Sequence, residues 1–396
     1  MDWSLLQVSA PADHPAHRRY DLYRSVADYA AEAIAPEALG AARDRHARHF
    51  AALRERGTPD TPRRMNSERR RRLMSDLENT AAAVEHALAR GESELAVACC
   101  RLFYEIIIRQ GPFRRLTVFL DGCEAAAPFP DSRIWIWLAR VSVFRALRRV
   151  PEAIDAAERG LAIARDQRDR RWEGTLVNHL GSLAIEAGEL TRAGALVREA
   201  LTIHQELGEL SKEASALGDM ATLAFRLGDG DGALSYGHRA LARAKAGEAP
   251  DLLAIETFKL GDVLQALGRL EEAEVYMREG LALFRAQGYR SITGNALLNL
   301  GDLLNSRGEL VEAEVLLRES QSIHQRIGNR HMEALSWATL AESWLAAERY
   351  QDAQEAIERA RALLSHDERR GMADILLIAA RIHLARGGRG RAVGPR

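Results

Sequence analysis

The sequence matches itself at a spacing of 40 residues, and a period of that length restricts a chain to architectures that stack one small unit on the next. Leu180-Gly181 returns as Met220-Ala221, Leu260-Gly261, Leu300-Gly301 and Leu340-Ala341. Gly188 returns as Gly228, Gly268 and Gly308. Ala193 returns as Ala233, Ala273, Ala313 and Ala353, with Ala153 one unit earlier, and Ala200 as Ala240, Gly280, Ser320 and Ala360. Small residues are needed where two antiparallel helices press closest, so Gly181 is expected to face Ala193 and Ala200 across such a pair. Glycine at 188 and its equivalents ends the first helix, because it enters the left-handed conformation without a Cβ clash. Between the markers the apolar residues keep helical spacing: Leu176, Leu180 and Leu183, then Val197, Leu201 and Ile203. Each unit reads as helix A, turn, helix B, turn, and five copies span about 131–370. The expected fold is all-α.

This pattern resembles the tetratricopeptide repeat family, which places Leu-Gly in helix A and two alanines in helix B. The usual unit has about 34 residues, so the longer unit implies helices extended by about a turn in total. The resemblance is close over 171–363 and looser in the first copy, where Arg140-Val141 stands in place of Leu-Gly. It implies a right-handed superhelix of antiparallel helix pairs over 131–386, with five repeats and a capping helix. Met372 to Ala385 reads as that cap, a sixth helix A with Gly387-Gly388 at its turn, and 387–396 as a disordered tail too short for a helix B.

Residues 1–130 do not keep the register. Ser4 to Val8 alternates like a strand, Pro11 and Pro15 punctuate a loop, and Arg19-Tyr20-Asp21-Leu22 reads as a return strand. A helix through Val26, Tyr29, Ala30 and Ile34 follows, then another from about Leu39 to Arg54. Further helices are expected near 67–89, 92–110 and 113–127, with Gly111-Pro112 as a break. Ser4-Leu5-Leu6, Arg19-Tyr20-Asp21-Leu22, Val26-x-x-Tyr29-Ala30 and Arg45-His46-Ala47 resemble the end of the winged-helix module in bacterial STAND-class regulators, P-loop ATPases with tetratricopeptide sensors. Asp76-x-Glu78-Asn79-x-x-x-Ala83 and Ala87-Leu88 resemble the helices that follow it. The resemblance implies a partial winged-helix segment over 1–58, helical linker pairs over 59–130, and the sensor half of such a regulator. The dipeptide Gly-Lys occurs nowhere, so a phosphate-cradling G-x-x-x-x-G-K-[ST] loop is excluded. A freestanding scaffold is the alternative reading.

With 55 basic against 56 acidic residues, the balanced charge points away from a general polyanion binder. Arg63-Arg64 and Arg69 to Arg72 form the densest cluster; no aromatic residue interleaves it, so it reads as a solvated helix start or an interdomain salt-bridge face rather than a phosphate-binding face. Cys99, Cys100 and Cys123 read as small buried hydrophobes. His46 and His49 share a helix face but lack further zinc ligands, and His204 and His324 belong to the repeat pattern. Gly228-Asp229-Gly230-Asp231-Gly232 falls at an A–B turn and lacks the distal glutamate of a calcium loop. No catalytic, cofactor or metal site emerges. No stretch of about 18 apolar residues exists, and the N-terminus lacks a signal peptide's basic and apolar regions, so a cytoplasmic protein is expected.

Stacked helix pairs of this kind present their A helices on a concave face. The resemblance implies that ligands lie along helix A, two residues before and after the leucine of Leu-Gly. The earlier column runs Leu138, Asn178, Gly218, Phe258, Leu298 and Ala338; the later runs Ser142, Ser182, Thr222, Asp262, Asp302 and Glu342. One turn on stand Gln265 and Asn305, and Asn295 and Asn299 lie nearby on helix A. The Lys/Asn/Arg clamp of the chaperone-binding subset is missing, which argues against a C-terminal carboxylate ligand. The expected partner is a protein or peptide, with a basic or polar segment held by Asp262, Asp302 and Glu342 along one wall.

Overall fold

The computed structural model describes residues 6–9, 19–22, 34–55, 73–74, 76–108, 113–127, 129–147, 149–364 and 375–380. Strand β1 (Leu6–Ser9) pairs antiparallel with β2 (Arg19–Leu22), Leu6 opposite Leu22 and Ser9 opposite Arg19. Of the helix expected through Val26, Tyr29, Ala30 and Ile34, only Ile34 is described, in a bend ahead of the next helix; the rest of it, the Arg63–Arg72 cluster and the tail at 387–396 lie outside the described residues. Helices α1 (Pro36–Glu55), α2 (Leu77–Ala89), α3 (Ser93–Ile107) and α4 (Arg114–Ala126) enclose a core of Phe50, Val84, Phe103 and Phe119. The three cysteines are buried there as free thiols, and burial pushes Cys99 up to about 12.

The repeat array then alternates through six helix pairs among the described residues, which corrects the expected five: a span of 131–370 holds six units of 40 residues, the first of them without the Leu-Gly signature. Its A helices are α5 (Pro130–Ala146), α7 (Arg170–Ala187), α9 (Leu210–Arg226), α11 (Pro250–Ala266), α13 (Arg290–Arg307) and α15 (Arg330–Ala346). Its B helices are α6 (Val150–Asp166), α8 (Leu190–Glu206), α10 (Gly230–Ala246), α12 (Leu270–Gln287), α14 (Leu310–Ile327) and α16 (Tyr350–Leu363). Residues 375–380 are again helical, with Ile375 and Ile378 in the core and Leu376 and Leu377 exposed.

Among the described residues the turns of the array obey one rule. A left-handed residue stands every 20 positions, at 168, 188, 208, 228, 248, 268, 288, 308, 328 and 348. Seven of these are glycines, while Arg168 (φ 54°), Glu248 (φ 46°) and Glu348 (φ 59°) carry a side chain into the same conformation. A left-handed residue with a Cβ costs about 1–2 kcal/mol, offset in part by the entropy glycine loses on folding. Arg168, exposed at its turn, is the simplest case. Arg168→Gly is expected to raise stability by about 0.5–1 kcal/mol in urea unfolding. The Gly228–Gly232 stretch is such a turn, with the Asp229 carboxylate accepting the Gly232 amide at 2.8 Å to cap α10.

Within a pair the small residues of helix A meet the large ones of helix B. A Cβ on Gly181 would lie 2.6 Å from Val197 Cγ2, on Gly261 2.7 Å from Met277 Cγ, and on Gly301 2.6 Å from Leu317 Cγ. The expectation that Gly181 faces Ala193 and Ala200 is therefore corrected. Those alanines flank Val197 one turn to either side, and both are fully buried.

Consecutive A helices touch directly: α7 on α9, α9 on α11, α11 on α13, α13 on α15. Consecutive B helices are bridged by long side chains, such as Arg165–Glu199 at 2.9 Å, Arg278–Glu312 at 2.8 Å and Arg285–Glu319 at 2.6 Å. Close inner spacing with a splayed outer layer curves the stack, so the A helices line the inside of a superhelix. The apolar core is uneven along it. One large cluster runs from Ala254 to Ile378, whereas at α9–α11 it narrows to Ala224, Ala233 and Val263.

Candidate functional site

The inner wall is built from positions of helix A that the repeat keeps polar. Helical geometry puts the residue just before the Leu-Gly leucine three positions from the later column, hence on a neighbouring strip of the same face. That strip reads His179, Asp219, Lys259, Asn299 and Thr339 along the array. Successive A helices are offset so that a side chain of one unit meets the wall residue of the next.

The result is a ladder of hydrogen bonds. Asn178 Nδ2 lies 3.3 Å from Ser215 Oγ and 3.5 Å from Asp219 Oδ2, which also accepts a short bond from the Ser182 hydroxyl. Asn299 Nδ2 donates to Asp262 Oδ1 at 3.3 Å, and Gln265 Nε2 to Asp302 Oδ2 at 3.2 Å. Ser343 donates to Asn305 Oδ1 at 2.5 Å, while Asn305 Nδ2 reaches the Thr339 carbonyl. Thr222 turns back to the Gly218 carbonyl of its own helix. Asn295 is exposed on α13, and Glu342 is half-buried on α15.

Ten of the sequence-derived residues thus lie on or beside this wall: Asn178, Ser182, Thr222, Asp262, Gln265, Asn295, Asn299, Asp302, Asn305 and Glu342. Phe258 does not. It is buried against Phe284 of α12, their ring centroids 5.9 Å apart, and a Cβ on Gly280 would collide with it. The earlier column faces neighbouring helices rather than the open groove: Asn178 turns to α9, and the space over Gly218 is filled by Glu256 of α11.

Sequence reasoning missed the charged centre of the wall. Lys259 Nζ lies 3.3 Å from Glu256 Oε1 and 3.6 Å from Asp219 Oδ1, at the place where the apolar core narrows. The signal was present in Glu256, a carboxylate in a column otherwise occupied by Leu176, Ala216, Ala296 and Ser336. Burial pushes the Glu256 carboxyl up to about 7, with Lys259 opposing. Burial likewise pushes Asp262 up to about 7, opposed by the Asn299 bond, and raises Asp302. The histidines respond in the other sense: burial lowers His179 and His324 to about 4, so both are neutral at pH 7. His204 and His324 pack at the starts of their own A helices, where Gly174 and Gly294 leave room for the ring.

Among the described residues no group of three or more His, Cys, Asp or Glu is placed to hold a metal ion, and no helix is long and apolar enough to cross a membrane. The polar wall can offer hydrogen bonds and negative charge to an extended segment lying along it.

Residues 212–286 and 251–326 match the tetratricopeptide repeat family model, and this part of the chain consists of such repeats. No curated protein sequence matches the chain. Among solved structures it is similar to a Signal Transduction ATPase with Numerous Domains (STAND) protein with a tetratricopeptide repeat sensor from Pyrococcus horikoshii, at 16% identity and a TM-score of 0.58. That match covers 96% of this chain and 54% of the other, so the chain spans about half the length of that relative. It is also similar to a Rap protein complexed with Competence and Sporulation Factor, at 12% identity and a TM-score of 0.54, covering 80% of this chain and 98% of that one. At these identities the likeness establishes the fold: a tetratricopeptide superhelix.

Proposed function

We propose that this tetratricopeptide-repeat chain is the interaction and sensor module of a cytoplasmic signal-transduction or transcriptional regulator, binding an extended polar or basic protein segment along its inner wall. The observation that carries the reading is the alignment of polar side chains on consecutive A helices, from Asn178 on α7 to Ser343 on α15. Groups spaced one repeat apart suit a partner that runs along the superhelix. Carboxylates at Asp219, Asp262 and Asp302 give the wall one dominant sign, which focuses its field and favours a basic segment over nucleic acid. The reading assigns no reaction to the chain, because the wall holds no activated nucleophile or cofactor loop.

The relatives support the regulatory part. One is a STAND protein with a tetratricopeptide repeat sensor, and another is a Rap protein complexed with Competence and Sporulation Factor. The hairpin of β1 and β2 ahead of α1 supports reading residues 1–58 as the end of a winged helix. Residues 59–130 then serve as helical linker pairs.

Site-directed photo-cross-linking tests the reading. A benzophenone side chain placed at Asn295, exposed on α13, is expected to capture the partner from cells that express it. The same group at Val315, exposed on the outer face of α14, is expected to capture little. Capture from Val315 and not from Asn295 overturns the assignment to the inner wall.

A further inference from the structure

We infer that the floor of the inner wall between α7, α9 and α11 is a subsite for one cationic side chain of the bound segment, received against Asp219, Glu256 and Asp262. This rests on the groove-binding reading above and specifies what the groove selects.

This floor is short of hydrogen-bond donors. Asp219 and Glu256 are 8% and 2% exposed and share a single ammonium, that of Lys259; Asp219 has Ser182 and Asn178 as further donors, whereas Lys259 is the one donor to the Glu256 carboxylate among the described residues. Its distances of 3.6 and 3.3 Å exceed the ~2.7–2.9 Å of a charge-assisted bond. Asp262 is met by a neutral amide, that of Asn299 at 3.3 Å. Asn178 supplies the independent observation. It is 9% exposed, and its Oδ1 is buried without a hydrogen-bond partner among the described residues. Its Nδ2 is committed to Ser215 and Asp219, and the opposite amide orientation would set its oxygen against the Asp219 carboxylate. Two carboxylates therefore share one ammonium, a third lies within its electrostatic reach, and a bare amide oxygen stands on the side chain that bonds Asp219.

Buried acceptors left short of donors are costly, and a guanidinium or ammonium brings the missing N–H groups together with the missing charge. Gly218 preserves the geometry, since a Cβ there would collide with the Glu256 carboxylate. The Lys259 side chain remains 36% exposed, so the cluster opens toward the groove.

Protons are linked to such an event. Glu256 is faced by Lys259 and by Asp219 of α9, and Asp262 by Lys259 and by Asn299 of α13. Beyond them, Arg145 of α5 acts on Lys259 and on His179 of α7, the latter also under Lys212 of α9. Both Glu256 and Asp262 stand at about 7, so an arriving cation expels protons and binds better as pH rises from about 6 to 8.

The test uses the full chain, immobilised, and two pools of acetylated, amidated nonapeptides. They are random except at the centre, which is arginine in one pool and neutral citrulline in the other. The arginine pool is expected to be retained about tenfold more strongly at pH 8, the scale of one hydrogen bond to a charged group, with the ratio falling toward pH 6. Glu256→Gln is expected to shrink the ratio. Lys259→Met is expected to increase arginine retention by removing the internal competitor, a gain that a damaged fold does not produce. Equal retention of the two pools overturns the subsite and leaves the groove reading standing. Retention of neither pool by the parent chain overturns both, and reduced arginine retention by Lys259→Met, with circular dichroism unchanged, overturns the subsite.

Discussion

Leu300→Ala is expected to cost about 2–5 kcal/mol and to unfold the C-terminal part of the array ahead of the rest. Leu300 is fully buried in the largest apolar cluster, together with Leu304 of its own helix and Leu264, Leu317 and Leu340 from helices on both sides. Its removal leaves a cavity that the rigid stacking of α11, α13 and α15 closes only in part. In a linear stack each unit leans on its neighbours alone, so local damage spreads as far as the coupling carries it. At α9–α11 the apolar part of the coupling is small: Ala224, Ala233 and Val263 form a minor cluster beside the Asp219–Lys259–Glu256 centre. Calorimetry of the variant is expected to show an added transition at lower temperature, with the N-terminal helices melting near the parent value. A variant that melts like the parent places Leu300 outside the core and the repeat register in error.

The second large effect is an acid sensitivity located at His324. The ring is fully buried, and burial holds its pKa at about 4 against an ordinary 6.5. A histidine that is neutral when folded takes up a proton on unfolding. Its contribution is complete above pH 6.5 and is lost as pH falls toward about 4, amounting to about 3 kcal/mol. Glu256 and Asp262 act in the opposite sense, because carboxyls raised to about 7 favour the folded chain at low pH and lose that contribution as pH rises to 7. The parent profile mixes these terms, so the informative quantity is its difference from His324→Leu. Leucine suits the site because Leu364 occupies the equivalent position opposite Ala334. Urea unfolding at pH 7 and pH 4 is expected to show an acid loss about 3 kcal/mol smaller in the variant than in the parent. Equal acid losses contradict the assignment.

The packing opposite Gly294 shows how local such constraints are. A Cβ there would lie 2.7 Å from His324 Nε2, and Gly174 stands in the same relation to His204. In the intervening units alanine replaces the glycine at 214 and 254, and Ala244 and Phe284 replace the histidine. The pairing of sizes is visible in the sequence once the partner position, 30 residues on, is known.

Much of the fold was legible because its rules act within a few residues. Glycine at 188, 228, 268 and 308 marks a left-handed helix end on its own, and the spacing of Leu176, Leu180 and Leu183 defines a buried face. The site was legible in part. The placement of Asp262, Gln265, Asn299, Asp302 and Asn305 on the inner wall was legible because polar residues recurring on helix A mark its solvated side. Phe258 was misplaced, and Asp219, Glu256 and Lys259 were missed, because both depend on the offset between consecutive A helices. One unit's periodicity holds no information on that offset. It comes from the close packing of A on A and the wider spacing of B on B, which exists only after stacking. The Arg63–Arg72 cluster falls outside the described residues, so its expected role as a solvated helix start or an interdomain salt-bridge face stays a sequence-based reading.

Salt-dependent affinity tests most directly whether the inner wall is the binding surface. With the partner captured through Asn295, affinity is measured at pH 8 for the parent and for a chain carrying Asp262→Asn, Asp302→Asn and Glu342→Gln together. Each contact of this kind contributes about 0.2–1 kcal/mol, so the three substitutions are expected to weaken binding about tenfold. They are also expected to flatten its decline between low and high salt, since fewer charges remain to be screened. Unchanged affinity with unchanged salt dependence contradicts the account and moves the binding surface off the inner wall.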